Sequence, residues 1–504
     1  MFGFLSRKRS DATVAPAPRR HSKRSYLAAQ AVARYGDLNA SRGSADYELS
    51  NSLSEVRAKA RFLARNSGSM KRYIQLMKVN IVGEAGFRLQ SRVKMLDGKL
   101  DISLNDRVET AWSKWCEAPT TDGNMTMIDL LKQSVSTWCR DGEVIWEIVY
   151  SSQYRDGVAI NPIEADMLDE TLNRINPDNG NNIRMGVEID ANSRPVAYHL
   201  LTLHPGDLVW YATDVDRRYR RVTADRIIHI FEKDRPGQTR GEPPAAAAIQ
   251  PVKMLDGYRE AETMGRRLRA ALMGFFTRDL PKIEGLSELA DREDSDDEVF
   301  EMDMEPGRLK QLPDGMKFEE FSPSGATTDY AQFEGQVKKD LAMTFGISAF
   351  SHGMETQGVS YSTGRSVLIE DRDYYKTMQR FFIDHGIRRL FKLWLPRHVL
   401  QDLSMVPPTR IDIILNSFIF RPRGWEWVDP GKDVKANTEA LRTKQTSLSR
   451  IAAARGMDRD ELLDEISEDQ EAANSRGLTL DYTDGKNNAA PQGNNADATQ
   501  QPAK

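Results

Sequence analysis

Residues that could do chemistry are sparse in this chain, and they do not assemble into a working set. Gly353-Met354-Glu355-Thr356-Gln357-Gly358-Val359-Ser360 has the spacing of a phosphate-binding loop, but Val359 stands where the lysine belongs. Without that charge the β- and γ-phosphates of a nucleotide have no partner, and no buried strand leads into the segment. Gly358-Val359-Ser360-Tyr361-Ser362 starts like the nucleophile elbow of a serine hydrolase and fails at its last glycine. The seven histidines have no zinc-like spacing, and Cys116 and Cys139 are the only cysteines, read as two reduced thiols. Asp291 to Glu305 carries nine acidic residues in fifteen. Such a run could gather divalent cations as a nuclease does, but charge runs are usually solvated faces. No cofactor and no metal is expected, and the residues point to a structural or interaction protein rather than an enzyme.

Composition narrows the class further. A chain of 504 residues exceeds a single core, so two or more packed regions are expected. No apolar run approaches the ~18 residues of a membrane span. The opening MFGFLSRKRS lacks the apolar stretch of a secretory signal. A net charge of −4 argues against nonspecific coating of DNA, which needs a basic excess. Residues 1–44 form a basic, unpatterned arm with Arg7, Lys8, Arg9, Arg19, Arg20, Lys23 and Arg24, and residues 476–504 are rich in Asn, Ala, Gln and Pro. Both ends are expected to be disordered.

The elements that would position any site follow from periodicity. Tyr330, Phe333, Val337, Leu341 and Phe345 recur at helical spacing, and Gly346 reads as a left-handed cap. Ser351 to Arg365 is small and polar and reads as a flexible loop. From Ser366 the helical period resumes through Trp394, with Pro396 expected to stop it. Thirty such residues would span about 45 Å. A second long helix is expected from Ala245 to Phe276, its first turn disturbed by Pro251. Between the two lies an acidic, strand-containing knob with Arg308–Leu312 and Met316–Phe321 around the Asp314-Gly315 turn.

Upstream, helices are expected from Leu53, over Met70–Val79, Val108–Trp115 and Met127–Trp138. Strands follow at Val144–Tyr150, Ile183–Ile189, Val196–Leu201 and Arg226–Phe231, with Asp190–Ser193 as a hairpin turn. Downstream, Ile411–Phe420 reads as a strand, and Thr446–Ala454 with Asp458–Glu471 as a helix pair. That pair has helix–turn–helix spacing, but Asp460, Glu461, Asp464, Glu465, Glu468 and Asp469 would repel phosphate. The fold class is α+β.

Four residue strings, in order and with matching spacers, resemble phage portal proteins of the lambda-type family. They are Arg57-Ala58-Lys59-Ala60-Arg61-Phe62-Leu63-Ala64-Arg65-Asn66, with Val82-Gly83 beyond it; His229-Ile230-Phe231 leading to Arg235-Pro236-Gly237-Gln238-Thr239-Arg240-Gly241; Tyr361-Ser362-Thr363-Gly364-Arg365; and Trp427-Val428-Asp429-Pro430-Gly431-Lys432. The resemblance covers roughly residues 45–475. Thr363-Gly364 departs from the expected serine and small residue, and the acidic insert is unusually charged.

The resemblance implies a portal fold within a ring oligomer, commonly a dodecamer, at one capsid vertex. It assigns residues 45–242 and 396–428 to a wing, 243–277 and 326–346 to two stem helices, and 278–325 to a clip. It assigns 347–365 to a tunnel loop, 366–395 to the long helix behind it, and 429–475 to a crown. It implies double-stranded DNA in the channel, with Gln357, Ser360, Tyr361, Ser362, Thr363 and Arg365 as candidates to face it. Terminase large subunit, and later head–tail connector proteins, would dock at the clip on Asp291, Glu293, Asp294, Asp296, Asp297 and Glu298. Major capsid and scaffold proteins complete the implied partners, in the virion and, during assembly, the host cytoplasm; no membrane is involved. The alternatives are another ring-forming head–tail adaptor or a metal-dependent DNA-processing enzyme.

Overall fold

The computed structural model describes residues 43–175, 180–207, 219–271, 274–278, 316–320, 330–353, 360–402, 406–425 and 430–478. Helix α1 (Ala45–Asn66) begins where Ser44 accepts a hydrogen bond from the Tyr47 amide. Its buried stripe is Leu53, Arg57, Ala60 and Leu63, spaced three and four residues apart. The stripe packs on α2 (Gly68–Met77) and α4 (Met127–Asp141). Between them lie β1 (Arg88–Ser91) and α3 (Ile102–Trp115). Thr126 and Asp129 close a reciprocal capping box at the start of α4, and Gly142 ends it at φ 86°, a conformation glycine adopts without strain.

Strand β2 (Glu143–Tyr150) is the middle of a three-stranded antiparallel sheet between β3 (Val158–Ile163) and β8 (Ile227–Phe231). A four-stranded antiparallel sheet runs β4 (Asn182–Arg184), β5 (Val187–Ile189), β6 (Pro195–Leu201), β7 (Tyr219–Thr223). The segment Ile183–Ile189 is therefore two strands rather than one, because Met185 and Gly186 both take positive φ and turn the chain. The hairpin at Asp190–Ser193 is present, with the Asp190 amide donating to the Arg194 carbonyl.

Helices α5 (Ile249–Ala271) and α6 (Tyr330–Thr344) pair, tied by Arg259 to Glu334 at 2.6 Å and by the Tyr258 and Phe333 rings, 4.6 Å apart. Pro251 sits in the first turn of α5, where its missing N–H costs no helical bond. The helix expected to reach Phe276 stops at Ala271, and Phe276 lies in β9 (Gly274–Arg278), paired with β10 (Met316–Glu320). Gly346 follows α6 at φ 67°, the left-handed cap its position implied.

After the short α7 (Ala349–Gly353), the chain is helical from Tyr361 to Gln401: α8 (Tyr361–Phe382), a π turn over Ile383–Ile387, then α9 (Arg388–Gln401). At 1.5 Å per residue this rod is about 60 Å long. It starts earlier and ends later than the sequence suggested. Pro396 lies inside α9 instead of ending it. A mid-helix proline costs roughly 3 kcal/mol. Leu395, His398 and Val399 are buried around it, and each fully buried Leu or Val returns about 1.5–3 kcal/mol. The π turn passes β8 so closely that a Cβ on Gly386 would meet Ile230 Cδ1 at 2.8 Å.

The rod runs through the main core, where Trp112, Trp115, Phe391, Trp394, Phe418 and Phe420 form one aromatic cluster. Beyond it, the expected strand Ile411–Phe420 is α10 (Ile411–Asn416) followed by β11 (Phe418–Arg421), which pairs with β1. Ile411, Ile414 and Leu415 share one helical face on the core, and that packing overrides the strand preference of the β-branched isoleucines. The last helices are α11 (Pro430–Arg442), α12 (Leu448–Ala454) and α13 (Arg459–Ser475).

Candidate functional site

Two of the four strings meet at a buried carboxylate that neither contains. Glu143, the first residue of β2, accepts from Arg57 Nη2 at 2.7 Å, from Arg240 Nη2 at 2.6 Å and from the Gly241 amide at 3.0 Å. His229 Nε2 lies 3.0 Å from the same carboxylate, which can only accept, so that nitrogen carries the proton. Glu143, Arg57 and Arg240 are all fully buried. Burial alone would push the Glu143 carboxyl up, but Arg240 and Arg57 hold it well below the usual range. Burial pushes His229 down despite that carboxylate, so it is neutral near pH 7. Arg240 spends its remaining donors on the carbonyls of Leu168, Met185 and Ala165, at 2.7, 2.9 and 3.1 Å.

The rest of the second string latches the start of α1: Arg235 bonds Glu48 and the Gly43 carbonyl, and the Thr239 amide donates to Asp46. Its closing glycine is dictated by space, since a Cβ on Gly241 would lie 2.2 Å from the Gly142 carbonyl oxygen.

The other two strings meet at the start of α8. Ser360 is its N-cap, accepting from the Thr363 amide at 3.2 Å, with the Ser362 and Thr363 hydroxyls 3.0 and 2.8 Å from its oxygen. Ser360, Tyr361, Ser362 and Thr363 are exposed. Read from sequence as loop, Tyr361, Ser362, Thr363 and Arg365 are instead the first turns of a helix, because the serine that looked like loop filler is capping it. Arg365 is paired rather than projecting alone: its Nη2 donates to Asp433 Oδ1 at 2.8 Å. Lys432, the last residue of the fourth string, lies 5.9 Å over the Tyr361 ring.

The amino-terminal side of this segment is also anchored. Asp371 on α8 accepts from the Ser348 amide and hydroxyl at 2.8 and 2.6 Å and from the Ser351 hydroxyl at 2.5 Å. His352 is buried with Nε2 3.1 Å from the Ser69 carbonyl, and Arg72 donates to the Ser351 carbonyl. Ser351 and His352 thus belong to α7 and not to the loop expected there. Gln357 lies outside the described residues, as do Asp291, Glu293, Asp294, Asp296, Asp297 and Glu298, Arg308–Leu312 and both chain ends.

The last two helices dock on the outer face of β1 and β11. Gln90 bonds Asp458, Arg88 pairs with Glu461 at 3.3 Å, and Arg421 lies 4.0 Å from Asp458. Glu109, beside them on α3, accepts from the Ser91 amide. Burial, with help from Asp458, Asp106 and Glu461, raises its carboxyl to about 7. Backbone closes the same contact: a Cβ on Gly424 would sit 2.2 Å from the Arg455 carbonyl carbon.

One group among the described residues has a metal-like arrangement that sequence spacing could not reveal: Glu164, Asp166 and His204. Arg61 occupies the cation's role there, pairing with Asp166 and lying 3.3 Å from Glu164. No helix of the described residues is long and apolar enough to cross a membrane.

Comparison with known proteins gives a match to the family described as phage portal protein, lambda family, over residues 33–379. The probable portal protein of Halomonas phage phiHAP-1 is 32% identical over 442 residues, covering 87% of this chain and 84% of that protein. Portal protein B of Escherichia phage lambda is 22% identical, covering 72% of each. Among solved structures, a chain from the neck of an empty gene transfer agent particle is 13% identical with a TM-score of 0.43, covering 79% of this chain and 93% of that one; a likeness so distant carries no weight here.

Proposed function

We propose a function from one premise: this chain belongs to the lambda family of phage portal proteins. It forms the ring-shaped channel at one capsid vertex through which double-stranded viral DNA is packaged and later ejected. The observation that carries this reading is the family match across residues 33–379. Finer assignments go with it as proposals: a ring of twelve copies, terminase and then head–tail connector proteins at the clip, and capsid and scaffold contacts during assembly in the host cytoplasm.

Two features of the subunit support this reading. Met254, Tyr258, Met264, Phe333 and Met343 are exposed along the stem pair, a face that a neighbouring copy would cover. The start of α8 is a helix end offering hydroxyls and a neutralised arginine. Such a surface suits DNA that must slide, because each cation that neutralises a phosphate adds salt-dependent affinity. Asp371 and Ser360 would then hold the tunnel loop at its two ends.

The test is a packaging assay on particles carrying lysine at Gln357 and Ser360. Packaging should slow or DNA retention fall, whereas unchanged packaging would count against this segment touching DNA. At the clip, replacing Asp294, Asp296 and Asp297 with asparagine should weaken terminase binding.

A further inference from the structure

This inference rests on the reading that the exposed start of α8 lines the channel. Arg365 is the one cation from Ser360 to Arg365. Its partner Asp433 comes from the first turn of α11, 68 residues further along the chain, and the two side chains are 30% and 22% exposed. Asp433 also lies within electrostatic reach of Arg372, whose guanidinium sits 6.0 Å over the Trp425 ring.

The segment before α11 is anchored to the π turn at two points. Arg423 donates to the Val79 carbonyl at 2.8 Å, and Trp425 donates to Asn80 Oδ1 at 3.1 Å. Both acceptors lie in the π turn Lys78–Val82, where the wider turn frees carbonyls; Gln379 takes the Asn80 carbonyl at 3.0 Å. The chain is thus held to the π turn at Arg423 and Trp425, shortly before the helix that carries Asp433.

We propose that Asp433 is a masking residue: it neutralises Arg365 and so removes one positive charge per subunit from the DNA-facing start of α8. An unmasked Arg365 would pair with a backbone phosphate and release a counterion, and a ring would repeat that contact once per subunit. The mask converts a surface that would grip the duplex into one that lets it pass.

The experiment measures binding of a short duplex of mixed sequence to purified assembled rings across a salt series. D433N should raise affinity at low salt by tenfold or more. It should also steepen the log–log salt slope by about 0.9 for each Arg365 that reaches a phosphate. D433N/R365Q should return to the wild-type slope, and D433E, which keeps the charge, should match wild type. S362K is the arm for the underlying reading and should steepen the slope by itself. If S362K steepens it and D433N does not, the start of α8 meets DNA but the mask is wrong. If D433N steepens it and R365Q fails to reverse the change, another cation was released and the mask is again wrong. If neither variant moves the slope, the channel-lining reading fails and takes the proposal with it. Should D433N rings not assemble, D433S makes the same charge change with a residue suited to a first helical turn.

Discussion

Glu143 and Asp433 both receive arginines delivered from distant parts of the chain, yet the two junctions are built for different ends. Glu143 lies buried with Arg57, Arg240 and His229, and its carboxylate accepts from all three. Asp433 and Arg365 lie half in water. Charges taken wholly out of water bind the elements that carry them into one geometry, because any other arrangement strands a buried ion. Charges left partly hydrated contribute little stability and are available to set surface charge. The first junction fixes how α1, β2, β8 and the segment before α5 meet; the second controls what the start of α8 presents.

The sharpest way to break this contrast is to remove one charge from each junction and compare unfolding in denaturant. E143Q leaves Arg57 and Arg240 buried against a neutral amide and should cost about 3–5 kcal/mol. A cost below 1 kcal/mol would mean water already reaches the site.

Next in size is the docking of the last two helices. G424A forces a methyl against the Arg455 backbone and should cost about 1–3 kcal/mol. Hydrogen exchange should quicken in residues 448–475 and stay unchanged in β2. Equal quickening in both would show one cooperative unit instead of two regions.

Acidity should push the regions in opposite directions. Glu143 has a depressed folded pKa, so its contribution is complete above the unfolded value near 4.3 and is lost as pH falls through the folded one. His229 is also depressed, so below about 6.5 the unfolded chain takes up a proton that the folded one refuses, and stability again drops on acidification. Glu109 is raised to about 7, so its contribution is complete below about 4.3 and is lost as pH rises through 7. From pH 5 to 8, after correction for the intrinsic rise of exchange with pH, protection in α13 should therefore fall while that of β2 and β8 rises. Parallel changes would contradict the separation.

The smallest effect should be D433N on stability, under about 1 kcal/mol despite its effect on DNA. A loss as large as that of E143Q would make Asp433 a structural residue and erase the distinction.

Much of the scaffold was legible from the residues because periodicity and capping are local. The Gly346 cap, the Asp190–Ser193 turn and the helix pair after Ser447 all follow from neighbouring residues. The Glu143 junction was not, since burying a charge leaves no periodic trace. Its one local hint is Arg57 and Arg61, four apart between apolar residues on one helical face. The start of α8 was misread because hydroxyl residues suit both loops and caps, and only the structure shows Ser360 bonded to the Thr363 amide. Pro396 and Ile411–Asn416 went wrong for a third reason, core contacts from far along the chain outweighing local preference. The strings that signalled the family were legible as strings; that they pair off into two junctions was not.

The central claim is that copies of this chain surround an axis, with their stem helices enclosing a passage for duplex DNA. Electron microscopy of the purified full-length protein tests it most directly. The account predicts closed rings with a central opening wide enough for a duplex and the Ser360 end of α8 nearest the axis. Particles that stay monomeric in every condition, or assemble with no opening, would contradict it.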